Sequence, residues 1–307
     1  MVRKILMRLF LLTLVSCSQK KDTGQIDNAT SGEITISVDE SIFPLLDGEI
    51  EVFQSIYKQA KINVKYKPEA EAIQDLLEDS VRMAVVYREL TSDEKELLKN
   101  KKIVPHTTKI AYDAIAVIMN KENTNDTLSQ MQLAKIIRGE TTKWEELDKT
   151  SMHGDIQVVL DNKNSSISRY IKEKYIGNQK FSDNIFALYD TPEIINHVKN
   201  NPAVIGLMGV SWISDKDDTI SNSFLNDITV AAISDSSGNN YYQPYQAYIA
   251  QKIYPLCREI IIISREARAG LGTGFTAFVA GDKGQRIVLK SGLVPATMPL
   301  RIVGFRE

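Results

Sequence analysis

Residues 33–66, EITISVDESIFPLLDGEIEVFQSIYKQAKINVKY, read as strand, tight turn, helix and strand. Ile34, Ile36 and Val38 alternate with polar neighbours, the period-two pattern of a strand. Asp39, Glu40 and Ser41 can cap a helix, and Pro44 falls in its first turn, where a missing N–H costs nothing. Leu45, Ile50, Phe53, Ile56 and Tyr57 then approximate one helical stripe, before Ile62, Val64 and Tyr66 begin a second strand. In such a βαβ unit the helix starts at the carboxyl end of the strand. Its free N–H groups and positive dipole end face the crevice where ligands of open α/β sheets bind. The turn Asp39–Ser41 is therefore expected to form one wall of a ligand site.

The same alternation continues. Residues 69–79 (EAEAIQDLLED) suggest a helix, Met83–Tyr87 a short apolar strand, and residues 92–101 a polar surface helix. This β-α-β-α-β order is that of a parallel sheet covered by helices. Further along, Tyr112–Met119 (YDAIAVIM) predicts a strand, and residues 128–139 an amphipathic helix stopped by Gly139. Ile156–Leu160 predicts a strand, and Ser166–Tyr175 a helix capped by Ser165 or Asn164. Thr191–Asn200 follows as a helix with Thr191 as its cap, and residues 203–208 and 228–233 as apolar strands. The tail carries an isoleucine-rich strand over 253–264, a glycine-rich lead-in (Gly270, Gly272, Gly274), and helices over 274–279 and 282–291. Two α/β halves are expected, the second inserted into the first: lobe I at 32–112 plus 255–307, lobe II at 118–245, with two strand crossovers as hinge.

The chain has 307 residues, 43% hydrophobic and 25% charged, which suits one large or two medium domains. Its net charge is −2, and residues 1–16 carry Arg3, Lys4 and Arg8 without an acid, so the remainder stands near −5. The basic residues are scattered among acidic ones, which excludes a nucleic-acid footprint. Residues 1–16 have a basic start and a short apolar run, Leu9–Val15, too short for a permanent bilayer span and suited to a secretory signal peptide. Leu14-Val15-Ser16-Cys17 resembles the bacterial lipobox, which implies cleavage before Cys17 and acylation of that residue. Acyl chains contribute roughly 0.8 kcal/mol per buried CH₂, enough when several act together to hold a soluble domain at a membrane. Residues 17–31 are polar and are expected to be a flexible tether. With Cys17 acylated, Cys257 has no disulfide partner and is expected to be a buried small residue.

Metal and nucleophile chemistry find little support. His106, His153 and His197 are far apart and in no ligand spacing, no G-x-S-x-G elbow or P-loop occurs, and Cys257 lies in an apolar strand. No cofactor and no catalytic residue are expected. What remains is a pair of strand-to-helix turns, Asp39–Ser41 and Asn162–Ser166, one in each proposed lobe. Short polar side chains there leave backbone N–H groups open to an oxyanion. Arg88, ending the Met83–Tyr87 strand, is expected to face the same cleft and to hold an oxyanion bidentately.

Over about residues 33–303 the chain resembles the periplasmic phosphate-binding proteins of ABC transporters. The resemblance rests on Pro44-Leu45 after the first turn, Val86-Tyr87-Arg88 ending a strand, and the helix 133–139 followed by Trp144. It also rests on PAVIGLMG (202–209), Tyr254-Pro255-Leu256-Cys257-Arg258 and GQRIVLKSGLVP (284–295). It implies an α/β, two-lobed type II periplasmic-binding fold, each lobe a mainly parallel sheet covered by helices. It implies further a non-enzymatic, monomeric lipoprotein of the periplasm or cell envelope. Such a protein captures phosphate or a related oxyanion and delivers it to an ABC permease.

Carried over position by position, the resemblance assigns ligand contacts to Asp39, Glu40, Ser41, Glu69, Arg88, Asn164, Ser165 and Ser166. Several depart from the family pattern. Asp39, Glu40 and Ser41 replace Ser-Thr-Thr, Glu69 replaces a ligand serine, Ala70 and Ala72 replace glycines, and Leu160 or Asp161 stands where a basic residue is expected. Asp39, Glu40, Glu69 and Glu71 would crowd one pocket, with Arg88, Lys163 and Lys67 as offsetting cations. Two like charges about 4 Å apart at an effective dielectric near 20 repel by roughly 4 kcal/mol, on the order of a thousandfold in affinity. The alternative is therefore the same fold with an altered acidic pocket, a binding lipoprotein for a different ligand or envelope partner.

Overall fold

A computed structural model describes residues 27–151 and 154–298. The signal peptide, Cys17 and His153 lie outside the described residues. The opening unit forms as read. β1 (Ser31–Asp39) passes through a single tight turn into α1 (Phe43–Ile56), with Pro44 in its first turn, and returns as β2 (Gln59–Lys67), parallel to β1. α2 (Glu69–Leu77) leads to β3 (Met83–Val86) on the other edge of β1, again parallel, and α3 (Ser92–Asn100) follows.

β4 (His106–Asn120) is the strand on which the two parts of the sheet meet. After it come β5 (Thr127–Leu128), α4 (Gln130–Ile137), β6 (Gln157–Leu160), α5 (Ser166–Ile171), β7 (Ile185–Ala187), α6 (Thr191–Lys199) and β8 (Val204–Gly209). α7 (Thr219–Asp227), β9 (Ile228–Val230), β10 (Ala232–Ser234), β11 (Tyr241–Tyr242) and α8 (Gln246–Ala250) complete this second half. The chain then returns as β12 (Cys257–Ser264), α9 (Leu271–Ala280), α10 (Asp282–Lys290) and β13 (Val294–Pro295).

The main sheet runs β2-β1-β3-β12-β4-β8-β6-β7, with β9 and β13 also on β4, and a small sheet β11-β10-β5 stands apart. β12 is antiparallel to both its neighbours, whereas β6 is parallel to β7 and to β8. The first part of β4 pairs with β12 and its end with β8, so one continuous strand serves both halves. From Ala114 to Met119 every side chain is fully buried. That burial on both faces explains an unbroken apolar run where a half-exposed strand would alternate.

Three local readings need correction. The cap of α6 is Asp190, whose carboxylate accepts from the Glu193 backbone N–H at 2.8 Å, not Thr191. Gly272 and Gly274 lie inside α9 and do not precede it. A Cβ on Gly274 would fall 1.8 Å from the Ala29 carbonyl oxygen, so the helix rests directly on the backbone of the N-terminal segment. That segment is pinned earlier than expected. Asp27 accepts from Arg82, from Arg268 at 2.6 Å and from the Leu271 backbone N–H at 2.9 Å, so residues 27–31 belong to the folded part.

Candidate functional site

The carboxyl ends of β1 and β6 and the starts of α2 and α5 come together where the two halves of the sheet face each other. Ser165 caps α5 by accepting from the Ser168 backbone N–H at 3.1 Å, which leaves the Ser166 N–H free to look outward. That N–H donates to Asp39 Oδ2 at 3.3 Å, from the opposite half. The other Asp39 oxygen accepts from the Ser41 N–H at 3.0 Å. Nearby, Ser211 donates to the Ser41 carbonyl at 2.7 Å, and the Ala70 N–H donates to the Asn164 carbonyl at 3.2 Å. Asp39, Ser41, Glu69, Ser165 and Ser166 are all buried. Glu40 is half-buried and Asn164 is exposed at the rim, where it contributes its backbone carbonyl.

Beneath this junction lies a buried polar network that sequence reasoning left without a role. Arg258 on β12 stands in register with Asp113 on β4 and donates to Asp113 Oδ2 from Nη2 at 2.9 Å and from Nε at 3.2 Å. Its Nη1 donates to Ser166 Oγ at 2.9 Å, and its guanidinium carbon lies 3.5 Å from the centre of the Tyr87 ring. Tyr87 in turn donates to Asp113 at 2.7 Å. Charge pairing, ring stacking and hydrogen bonds together compensate a guanidinium only 5% exposed. The signal in the sequence was a lone acid in YDAIAVIM and a lone arginine in an isoleucine-rich strand. A charge inside an apolar run has to find a partner.

Glu69, at the start of α2, accepts from the Tyr87 N–H at 2.8 Å and from Arg169 Nη2 at 3.3 Å, with Arg169 Nε on its other oxygen. Arg169 is therefore the cation that meets Glu69 across the cleft. Arg88, expected to hold an oxyanion, instead forks onto Glu94 of α3 at 2.7 and 2.8 Å and reaches Glu69 only at 4.0 Å. Its planar donor pair is spent within its own half. Lys67 likewise pairs with Asp75 at 2.8 Å, and Lys163 is exposed. Glu71 is half-buried outside this junction.

The result is a strongly acidic interior. Burial, and then the neighbouring Glu69 charge, raise the Asp39 carboxyl, while Arg258 opposes them. Burial, with Asp39 nearby, pushes Asp161 up to about 8, against the hydroxyl hydrogen bond it receives from Ser165. Burial raises Glu40 as well, with Asp190 and Asp39 adding to it. Cys257 opens β12 half-buried, and burial holds its thiol up at about 12, which removes it as a nucleophile. Among the described residues no cluster of histidine, cysteine and carboxylate side chains is placed to hold a metal ion.

A cavity of about 440 Å³ opens beside the junction, walled by Glu69, Arg88, Ser165 and Arg169. A larger groove of about 640 Å³ faces α8 and the end of α10 and contains none of these residues. Its charged groups, such as Lys290 and Asp217 at 3.6 Å, are exposed at the rim. Convergent polar groups mark the first cavity as the candidate site.

A family described as the PBP superfamily domain matches residues 23–283. The chain is 23% identical over 249 residues to the phosphate-binding protein PstS of Staphylococcus epidermidis, covering 80% of this chain and 73% of that one. The PstS of Staphylococcus aureus is also 23% identical, over 266 residues, covering 85% and 78%. Among solved structures, the chain superposes with a TM-score of 0.73 at 22% identity on a phosphate-bound structure from Clostridium perfringens, assigned as a phosphate ABC-transporter substrate-binding protein. That match covers 86% of this chain and all of the other. An ABC-type phosphate transport receptor from Vibrio cholerae gives 0.64 at 19% identity with the same coverage. On the extent of these matches, and with its mixed parallel and antiparallel sheet built in two halves, the chain belongs to the PBP superfamily and has the type II periplasmic-binding fold.

Proposed function

We propose that this protein is a solute-binding protein of a phosphate-type ABC transporter. On this reading 32–112 with 255–307 and 118–245 are two lobes that close by a hinge motion over a small oxyanion, phosphate first, and deliver it to a membrane permease. Acyl chains on Cys17 hold it, as a monomer, in the periplasm or cell envelope. It binds and releases; it does no chemistry.

The observation that carries the reading is the meeting of Asp39–Ser41 with Ser165–Ser166, two strand-to-helix turns from opposite halves joined by the hydrogen bond from the Ser166 N–H to Asp39. The phosphate-binding names of the relatives, and the phosphate in the Clostridium structure, support phosphate as the first ligand to try. Isothermal titration of the full chain with phosphate and with sulfate at low salt is the test. Saturable heat with phosphate, exceeding that with sulfate, is expected. No heat with either ligand up to millimolar concentration removes this ligand.

A second reading is favoured by Glu69, whose buried carboxylate already binds Arg169. The pocket would then be an altered acidic one, serving a different ligand or an envelope partner. Glu69→Ser separates the two, because it frees Arg169. If phosphate binding strengthens from a weak native value, the altered pocket gains; if it weakens, phosphate is the native ligand.

A further inference from the structure

The floor of the cleft is already filled by an anion, and the anion is the protein's own. Asp39 is 1% exposed, and its two oxygens take backbone N–H groups from turns in different halves of the sheet. Two independent features show that the surroundings offer more than a helix cap. Ser41 Oγ is buried beside Asp39 with no hydrogen bond of ordinary geometry, and its hydroxyl acts on the Asp39 carboxyl in the lowering direction. Gly209, the last residue of β8, has no side chain where one would intrude. A Cβ there would lie 2.9 Å from Arg258 Nη2 and 3.3 Å from Ser41 Cβ. The missing side chain leaves room at that point for both the guanidinium and the serine.

We propose that Asp39 is the specificity-determining residue of this cleft: its carboxylate occupies the seat of an oxyanion between Ser41, Ser166 and Arg258 and keeps free oxyanions out. The inference rests on the second reading above, a ligand crevice with an altered acidic pocket, and runs against phosphate as the native ligand. An incoming dianion must either sit beside this carboxylate or displace it from two N–H donors. With the Glu69 charge also buried nearby, no surplus of positive charge offsets the repulsion. Shorten Asp39 to serine, and two N–H groups, Ser41 and Arg258 face a vacated seat of the right sign; asparagine removes the charge and makes the side chain easier to displace from it.

The test is inorganic phosphate titrated calorimetrically into the full chain, comparing wild type, Asp39→Asn, Asp39→Ser and the double variant Asp39→Asn/Gly209→Ala. Both single variants are expected to bind phosphate at least tenfold more tightly than wild type, and the double variant to lose that gain. Two variants are used so that one failing to fold leaves the other to decide. If wild type binds phosphate as tightly as the variants or more so, Asp39 does not exclude the ligand; this inference falls and the transport reading stands. If the double variant binds as tightly as Asp39→Asn, the seat is not beside Gly209 and the inference falls on location. If no form binds although the variants melt cooperatively, the oxyanion seat and phosphate as ligand fall together.

Discussion

Arg169 of α5 meets Glu69 of α2 across the cleft, an ion pair between residues a hundred positions apart, with Nη2 3.3 Å from Oε1. Glu69 is buried and Arg169 about one-quarter exposed, so the pair is shielded on one side and wet on the other. It fastens the rim of the crevice, while Asp39 and Ser166 fasten its floor. Arg169→Met removes the cation and leaves the Glu69 charge with the Tyr87 N–H. A loss of about 1–3 kcal/mol in urea unfolding is expected, the usual cost of stranding a buried acceptor. X-ray scattering should show a larger radius of gyration if the pair holds the halves together. An unchanged radius with unchanged stability makes the contact incidental.

Arg258 is a stronger case, because both members of its pair with Asp113 are buried. Arg258→Met leaves Asp113 uncompensated in the interior and is expected to cost about 3–5 kcal/mol. Adding Asp113→Leu should recover much of this loss, since the orphaned charge is gone. Urea midpoints of the two single variants and the double variant form the cycle that measures it. If the double variant is as unstable as Arg258→Met alone, the cost lies in the contacts to Tyr87 and Ser166.

How far the sequence could be read follows from the range of the interactions. The β1–α1–β2 unit was legible because alternation, a capping turn and Pro44 act within a few residues. The pairing of Arg258 with Asp113 was not, because it exists only once β12 inserts antiparallel between β3 and β4. Asp39, Ser41, Glu69, Ser165 and Ser166 were placed at the junction, since strand-end turns of such sheets converge. Arg88 lines the cavity as expected, but Glu94, in the very next helix, takes the guanidinium donors that were to hold an oxyanion. Arg169, whose side chain serves the site from the middle of α5, carries no local mark of that role. Gly272 and Gly274 resembled a loop because nothing near them in sequence announces Ala29 against the helix.

Asp27 gives a prediction in the acid range. Burial alone would raise its carboxyl, but the Leu271 N–H, Arg268 and Arg82 outweigh burial and hold it at about 2, against an ordinary value of 3.8. A depressed folded value means that the contribution is present above pH 3.8 and is lost as the pH falls towards 2. Arg82 and Arg268 are partly exposed, so solvent screening cuts the contribution to about 1 kcal/mol at neutral pH. Asp27→Asn should therefore destabilise the protein at pH 7 and match wild type near pH 2, read as urea midpoints at the two values. An equal deficit at both would place the effect in packing and not in charge.

Glu49 works in the opposite sense. It is fully buried on α1, and neither carboxylate oxygen has a hydrogen-bond partner among the described residues. Burial pushes its carboxyl up to about 9, so the folded protein keeps a proton that the unfolded chain releases near 4.5. Between those values the folded state binds more protons than the unfolded one, and stability falls as pH rises, by about 1.4 kcal/mol per pH unit for a single such group. The contribution is whole below 4.5 and gone above 9. Glu49→Met, similar in length and apolar, has no proton to hold and no polar atoms to strand, so it should raise stability most at alkaline pH. Urea midpoints at pH 6 and pH 9 decide it: the wild-type value should drop relative to the variant across that interval. A constant difference between the two proteins would mean that Glu49 does not hold its proton in the folded state.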